Sequence, residues 1–146
     1  MKNGFTLLEL IIVLSILGII TLFIFSAFTD YKDTQVAEAT VVEINSLIKE
    51  TRQKTISAET SSQFGLHFAT SSLTVFEGAV YSASNATNRI YNFSNTNIDT
   101  ELSSGGNDII FSRLTGVTNA TGTIAVGHSR LNSTTTLIMQ TTGLIE

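Results

Sequence analysis

Cysteine, proline and tryptophan are all absent from the 146-residue chain, and histidine occurs only twice. Without cysteine there is no disulfide, no thiol nucleophile and no thiolate metal ligand. Without proline, no helix is broken by a missing N–H. A metal site needs several convergent ligands, and His67 and His128 stand far apart in sequence. His67 is expected on the outer face of a strand and His128 in a turn after Gly127, each as a single surface side chain. Asp99, Glu101 and Asp108 surround Gly105-Gly106, but their spacing fits no oxygen-ligand loop, so they read as solvated loop charges. No metal, cofactor or catalytic site is expected, because no nucleophile–base arrangement can be drawn.

Charge is scarce as well. Eight basic and twelve acidic side chains leave a net charge of −4. Binding a polyanion requires a basic patch that releases counterions. Arg89, Arg113 and Arg130, the basic side chains of the last eighty-seven residues, are scattered. Nucleic acid is therefore not expected as a partner.

What the chain has in abundance is apolar sequence near its start. Met1-Lys2-Asn3-Gly4 is a short basic leader, then come Phe5-Thr6-Leu7-Leu8-Glu9 and an uncharged run of nineteen residues from Leu10 to Phe28. As a helix rising 1.5 Å per residue, that run spans about 28 Å, close to the roughly 30 Å of a bilayer's hydrocarbon core. A secretory signal fits less well, because the run is long and Phe25-Ser26-Ala27-Phe28 offers no good pair of small residues for cleavage. Lys2 precedes the run, and Asp30, Lys32 and Asp33 follow it, so the N-terminus is expected on the cytoplasmic side and the remainder across the membrane. Glu9 is the anomaly. A carboxylate at the centre of a membrane helix costs about 2.5–3.5 kcal/mol on insertion scales, and one that is kept generally has a partner.

Beyond Phe28 charges return, and Ala37, Val41, Ile44, Leu47 and Ile48 keep the spacing of one helical face. Glu50 and Lys54 form a favourable pair four residues apart. One helix is therefore predicted from Phe5 to about Thr55, with an apolar half over residues 5–29 and an amphipathic half over 30–58 that packs on a β-sheet. Gly18 is the weak point of the apolar half, since glycine inside a helix costs about 1 kcal/mol relative to alanine.

Residues 59–146 read as a β-rich domain. Phe64, Leu66 and Phe68 alternate with polar or small residues, and a Thr70-Ser71-Ser72 link to Leu73–Glu77 predicts a hairpin. Further strands are expected at Arg89–Phe93, Asp108–Arg113, Thr123–Val126, Thr135–Gln140 and Leu144-Ile145, with the longest loop between Ser82 and Gly106. Residues 60–146 hold 35 Ser, Thr and Asn but only eight charged side chains, a composition suited to exposed sheets that pack beside other subunits. Asn-x-Ser/Thr triplets at Asn85, Asn92, Asn119 and Asn132 are expected by chance in such a segment. The fold class is α+β: a long N-terminal helix packed on an antiparallel β-sheet domain.

Gly4-Phe5-Thr6-Leu7-Leu8-Glu9 followed by the apolar run closely resembles the processing site of type IV pilins and type II secretion pseudopilins. Ile109–Gly116, Gly122–Val126 and Leu137–Gly143 look like the closing strands of H-type minor pseudopilins and FimT-like minor pilins. The resemblance implies a pilin-like fold with no enzymatic activity. It also implies cleavage by a prepilin peptidase between Gly4 and Phe5 and N-methylation of Phe5. Glu9 would form an inter-subunit ion pair with the new amine of Phe5 on a neighbour. Partners would be other pilin or pseudopilin subunits, the peptidase and an assembly platform. The protein would sit in the inner or cytoplasmic membrane before joining a filament at the cell surface. Major pilins of the family commonly carry proline where Ser26 stands, so the resemblance favours a minor subunit. The rival reading is a single-pass anchored β-domain that binds or adheres at the cell surface and never polymerises.

Overall fold

A computed structural model describes residues 6–58, 60–130 and 134–146. Helix α1 runs unbroken over Leu7–Ile56, about 75 Å at 1.5 Å per residue. Thr6 caps its start: its carbonyl accepts the first helical bond, from the Leu10 N–H at 3.2 Å, and its hydroxyl accepts the Glu9 N–H at 3.3 Å, so one of the four orphan amides of the first turn is satisfied. At the other end Ser57 donates its N–H to the Gln53 carbonyl, and Ala58 turns the chain away with φ 50°.

Seven strands follow: β1 Phe64–Ala69, β2 Ser72–Glu77, β3 Arg89–Asn92, β4 Thr96–Leu102, β5 Asp108–Ile110, β6 Gly122–His128 and β7 Thr134–Met139. They form two antiparallel sheets where one was expected. The first has the order β3-β2-β1-β5 and the second β4-β6-β7. The sheets meet where Ile98 N–H of β4 donates to the Thr70 carbonyl (2.7 Å) in the turn between β1 and β2. Helix α1 lies on both, touching β1 in one and β6 in the other.

The core is the shared inner surface. Ile44, Leu47 and Ile48 of α1 meet Leu66, Phe68, Leu73 and Ile109 of the first sheet and Ile98, Ile124, Val126 and Met139 of the second. The helical spacing predicted for that face accounts for it, with Val41 packed at its edge. Thr51 and Thr55 are also fully buried, and each donates its hydroxyl to the carbonyl four residues back. On the outer face of the first sheet, Gly65 makes room for Phe76, since a Cβ there would stand 2.4 Å from the phenyl ring.

Strand β4 is the element that the sequence reading placed inside a loop. Its inward positions are Thr96, Ile98, Thr100 and Leu102, so the two-residue period is present but half of it is carried by threonine. Strand β5 is shorter than expected: pairing passes to an isolated bridge between Phe111 and Thr118, and Arg113 lies in a turn. The expected last strand reduces to a bridge between Met139 and Ile145. His128 corrects a second expectation. It is the final inward residue of β6, in phase with Ile124 and Val126, and is only 4% exposed.

Candidate functional site

The functional end of the chain begins at the capped first turn of α1. Gly4 and Phe5 lie outside the described residues. Glu9 occupies the first helical turn with its side chain exposed, where the helix dipole favours a negative charge. Above it, every large apolar side chain from Leu10 to Phe28 is exposed. The most apolar eighteen-residue window of α1 has a mean hydropathy of 2.9, and none of it is buried. This helix is long and apolar enough to cross a membrane.

The hydroxyls of Ser15, Thr21 and Thr29 do not spoil it. Ser15 donates its hydroxyl to the Ile11 carbonyl (2.8 Å), Thr21 to Leu17 (2.7 Å) and Thr29 to Phe25 (3.0 Å). Each hydroxyl is satisfied within the helix, as a medium without water requires. Gly18 has open space around it, for a Cβ there would meet nothing within 4 Å. The subunit by itself therefore gives no reason for glycine at that position.

At the far end, Arg52 and Thr55 tie α1 to the domain, Thr55 by accepting the Leu114 N–H at its carbonyl and the Phe64 N–H at its hydroxyl. Arg52 donates its Nε–H to the Gly116 carbonyl (3.3 Å) and the Thr142 carbonyl (3.2 Å), gathering two turns distant in sequence. Gly143, with φ 75°, closes the second turn, and a Cβ on it would fall 2.2 Å from the Gly116 carbonyl oxygen. Near the membrane-side half, the Arg130 Nη1 lies 3.2 Å from Asp33 Oδ2 and joins the residues just past β6 to the helix. Sequence reasoning missed these ties. The signal for Arg52 was a cation four residues after Ile48, beside the apolar face.

The polar candidates separate. Asp99 and Glu101 point outward from β4, whereas Asp108 lies on β5 of the other sheet. Asp108 is not a solvated loop charge: its Oδ1 is 2.6 Å from His67 Nδ1, and the imidazole stacks on Tyr81 at 3.8 Å. Among the described residues no three His, Cys, Asp or Glu side chains gather as metal ligands. Arg89 lines a cleft of about 400 Å³ with Lys54, Glu77 and Phe64, Arg113 lies in the turn after β5, and Arg130 engages Asp33.

Comparison with known proteins agrees with this geometry. Residues 1–25 match the prokaryotic N-terminal methylation motif. Two crystal structures of the type IV minor pilin FimU from Pseudomonas aeruginosa PAO1 share the architecture. The hexagonal form, in space group P65, aligns with a TM-score of 0.54 at 16% identity over 77% of this chain and 90% of FimU. The P21 form aligns with a TM-score of 0.55 at 17% identity over 77% and 85%. No curated protein matches. The chain thus joins a prokaryotic methylation motif to the pilin fold, a long N-terminal helix on antiparallel sheets.

Proposed function

We propose that the protein is a minor subunit of a type IV pilus, made as a precursor and assembled through α1. The observation that carries this reading is the position of the methylation motif. It opens directly onto an unbroken helix whose first half is apolar on every side and uncovered. An apolar surface of that extent needs lipid or other helices around it. In the membrane lipid serves, and in a filament neighbouring α1 helices replace it.

On this reading a prepilin peptidase cuts between Gly4 and Phe5, and the new amine of Phe5 is methylated. The Glu9 carboxylate then pairs with the Phe5 amine of a neighbouring subunit inside the bundle. A buried ion pair adds little net stability over apolar packing, but breaking one partner costs several kcal/mol, about 3–5 where it has been measured. Such a pair therefore fixes register between helices. The β-domain faces outward, and its Ser/Thr/Asn-rich sheets meet water and neighbouring domains with few charges to oppose. The likeness to FimU favours a pilus over a secretion pseudopilus as the machine it serves.

The test is the intact mass of the membrane-extracted protein from its native host. Loss of Met1–Gly4 with one added methyl group is the expected result. A chain that keeps its leader in peptidase-competent cells would overturn the assignment and leave an anchored binding domain.

A further inference from the structure

The core of the first sheet runs out beside the last turn of α1, and the cleft of about 400 Å³ opens there. That volume falls within the range of small-molecule sites, about 300–1,000 Å³. Strand register builds its wall. Glu77 stands opposite Phe64 across β1 and β2, and Arg89 opposite Val75 across β2 and β3. Side chains alternate along a strand, and Val75 is opposite the buried Leu66, so all four lie on the face that meets the helix. Glu77 and Arg89 are thus diagonal neighbours, about 7–8 Å apart, and both line the cleft. No ion pair joins them, for among the described residues the pairs are Glu50–Lys54, His67–Asp108 and Asp33–Arg130. Lys54, the other cation of the cleft, is already held by Glu50 at 2.6 Å. Asn88, on the same wall, supplies the remaining signal. Its Nδ2 donates to the Ser82 carbonyl (2.8 Å), which sets the orientation of the amide, and its Oδ1 is buried without a donor. A buried acceptor left unmet is costly.

We propose that this cleft binds an α-amino acid with an apolar side chain. Its carboxylate meets Arg89, its ammonium meets Glu77 and the Asn88 Oδ1, and its side chain lies against Phe64 and Val75. Charge selects this class. With Lys54 neutralised by Glu50, one cation and one anion remain, set apart on one wall. A simple carboxylate would also face Glu77, and a simple amine would also face Arg89. A neutral sugar would cover both charges and give neither a counter-charge. A zwitterion answers each, and its ammonium brings the donor that Oδ1 lacks. Position agrees with a ligand carried in water. Lys54 lies about 39 Å beyond Phe28 along α1, at 1.5 Å per residue, so the cleft is far from the apolar run. The assignment does not depend on filament assembly.

The experiment titrates the full chain in detergent micelles with valine, leucine and phenylalanine, following the methyl resonances of Val75 by NMR. A saturable shift is expected with at least one of the three. The analogues of that amino acid without its ammonium or without its carboxylate (isocaproate and isoamylamine in the case of leucine) should bind at least tenfold more weakly. Arg89→Gln and Glu77→Gln should each weaken amino-acid binding at least tenfold and leave the unfolding midpoint unchanged. Glu77→Gln also removes the charge that opposes a lone carboxylate, so the gap between the amino acid and its carboxylate analogue should narrow. No saturable shift with any of the three overturns the assignment. So do analogues that bind as well as the amino acid, or binding that survives both substitutions. Each of these results leaves the filament reading, which rests on the N-terminus, where it stood.

Discussion

Between Leu10 and Phe28 every large apolar side chain of α1 is exposed, whereas twenty residues further along the same helix buries Ile44 and Ile48 completely. The two halves treat their hydroxyls alike. Ser15 and Thr21 bond back to the carbonyls four residues earlier, and so do Thr51 and Thr55. They differ in what covers them. The second half is packed on two sheets and tied by Arg52 to the Gly116 and Thr142 carbonyls. The first half satisfies the hydroxyls of Ser15, Thr21 and Thr29 within the helix and leaves its large apolar side chains bare. One helix therefore serves two surroundings: its first half is built to exchange partners, its second half to keep one.

The largest effect should come from breaking the first half at its only charge. Glu9→Leu is expected to insert into membranes at least as well as the parent, since a carboxylate near lipid is costly. It should nevertheless lose filament incorporation while leaving the unfolding midpoint of the β-domain unchanged. Fractionation of membranes and sheared filaments, with circular dichroism in detergent, checks all three; normal incorporation would sink the ion-pair role. The opposite pattern is expected in the second half. Ile48→Ala removes a fully buried side chain and should destabilise the domain by about 2–5 kcal/mol, read by chemical denaturation, while membrane insertion is unaffected. Gly143→Ala attacks the tie between the turns. Its φ of 75° and the 2.2 Å approach to the Gly116 carbonyl predict a loss of about 1–3 kcal/mol, with Arg52 losing an acceptor as the turn shifts.

These halves also mark where the sequence could be read. An uncharged run and a helical stripe are periodic and apolar, so α1 and the helix side of the core were legible. Strand β4 was not, because Thr96 and Thr100 fill inward positions in a segment where threonine is common everywhere. Its period of two hid in composition. His128 was misplaced for a related reason: Gly127 looked like a turn, yet the alternation of Ile124 and Val126 simply continues through it to His128. The division into two sheets depends on backbone bonds such as Ile98 to Thr70, and main-chain pairing leaves no side-chain signature. Of the candidate site, the place of Glu9 at the start of α1 was legible, because a charge beside an apolar run is conspicuous. Arg52 was not, since the Gly116 and Thr142 carbonyls it gathers come from turns far along the chain.

The smallest effect should come from the pair that looks strongest by distance. Lys54 Nζ lies 2.6 Å from Glu50 Oε1, shorter than any tie that Arg52 makes. The carboxylate, however, is half exposed, and a solvent-exposed pair four apart on a helix is worth only about 0.3–0.5 kcal/mol. Water competes for both groups, and two long side chains lose freedom when they meet. Glu50→Ala should therefore shift denaturation by a few tenths of a kcal/mol, and added salt should shrink the difference further. Arg52→Gln, by contrast, withdraws a donor from two carbonyls that hold the Gly116 and Gly143 turns together. Its cost should exceed that of Glu50→Ala severalfold and change little with salt. A larger loss for Glu50→Ala than for Arg52→Gln would mean that the membrane-distal end of α1 is held by surface charge and not by backbone bonds.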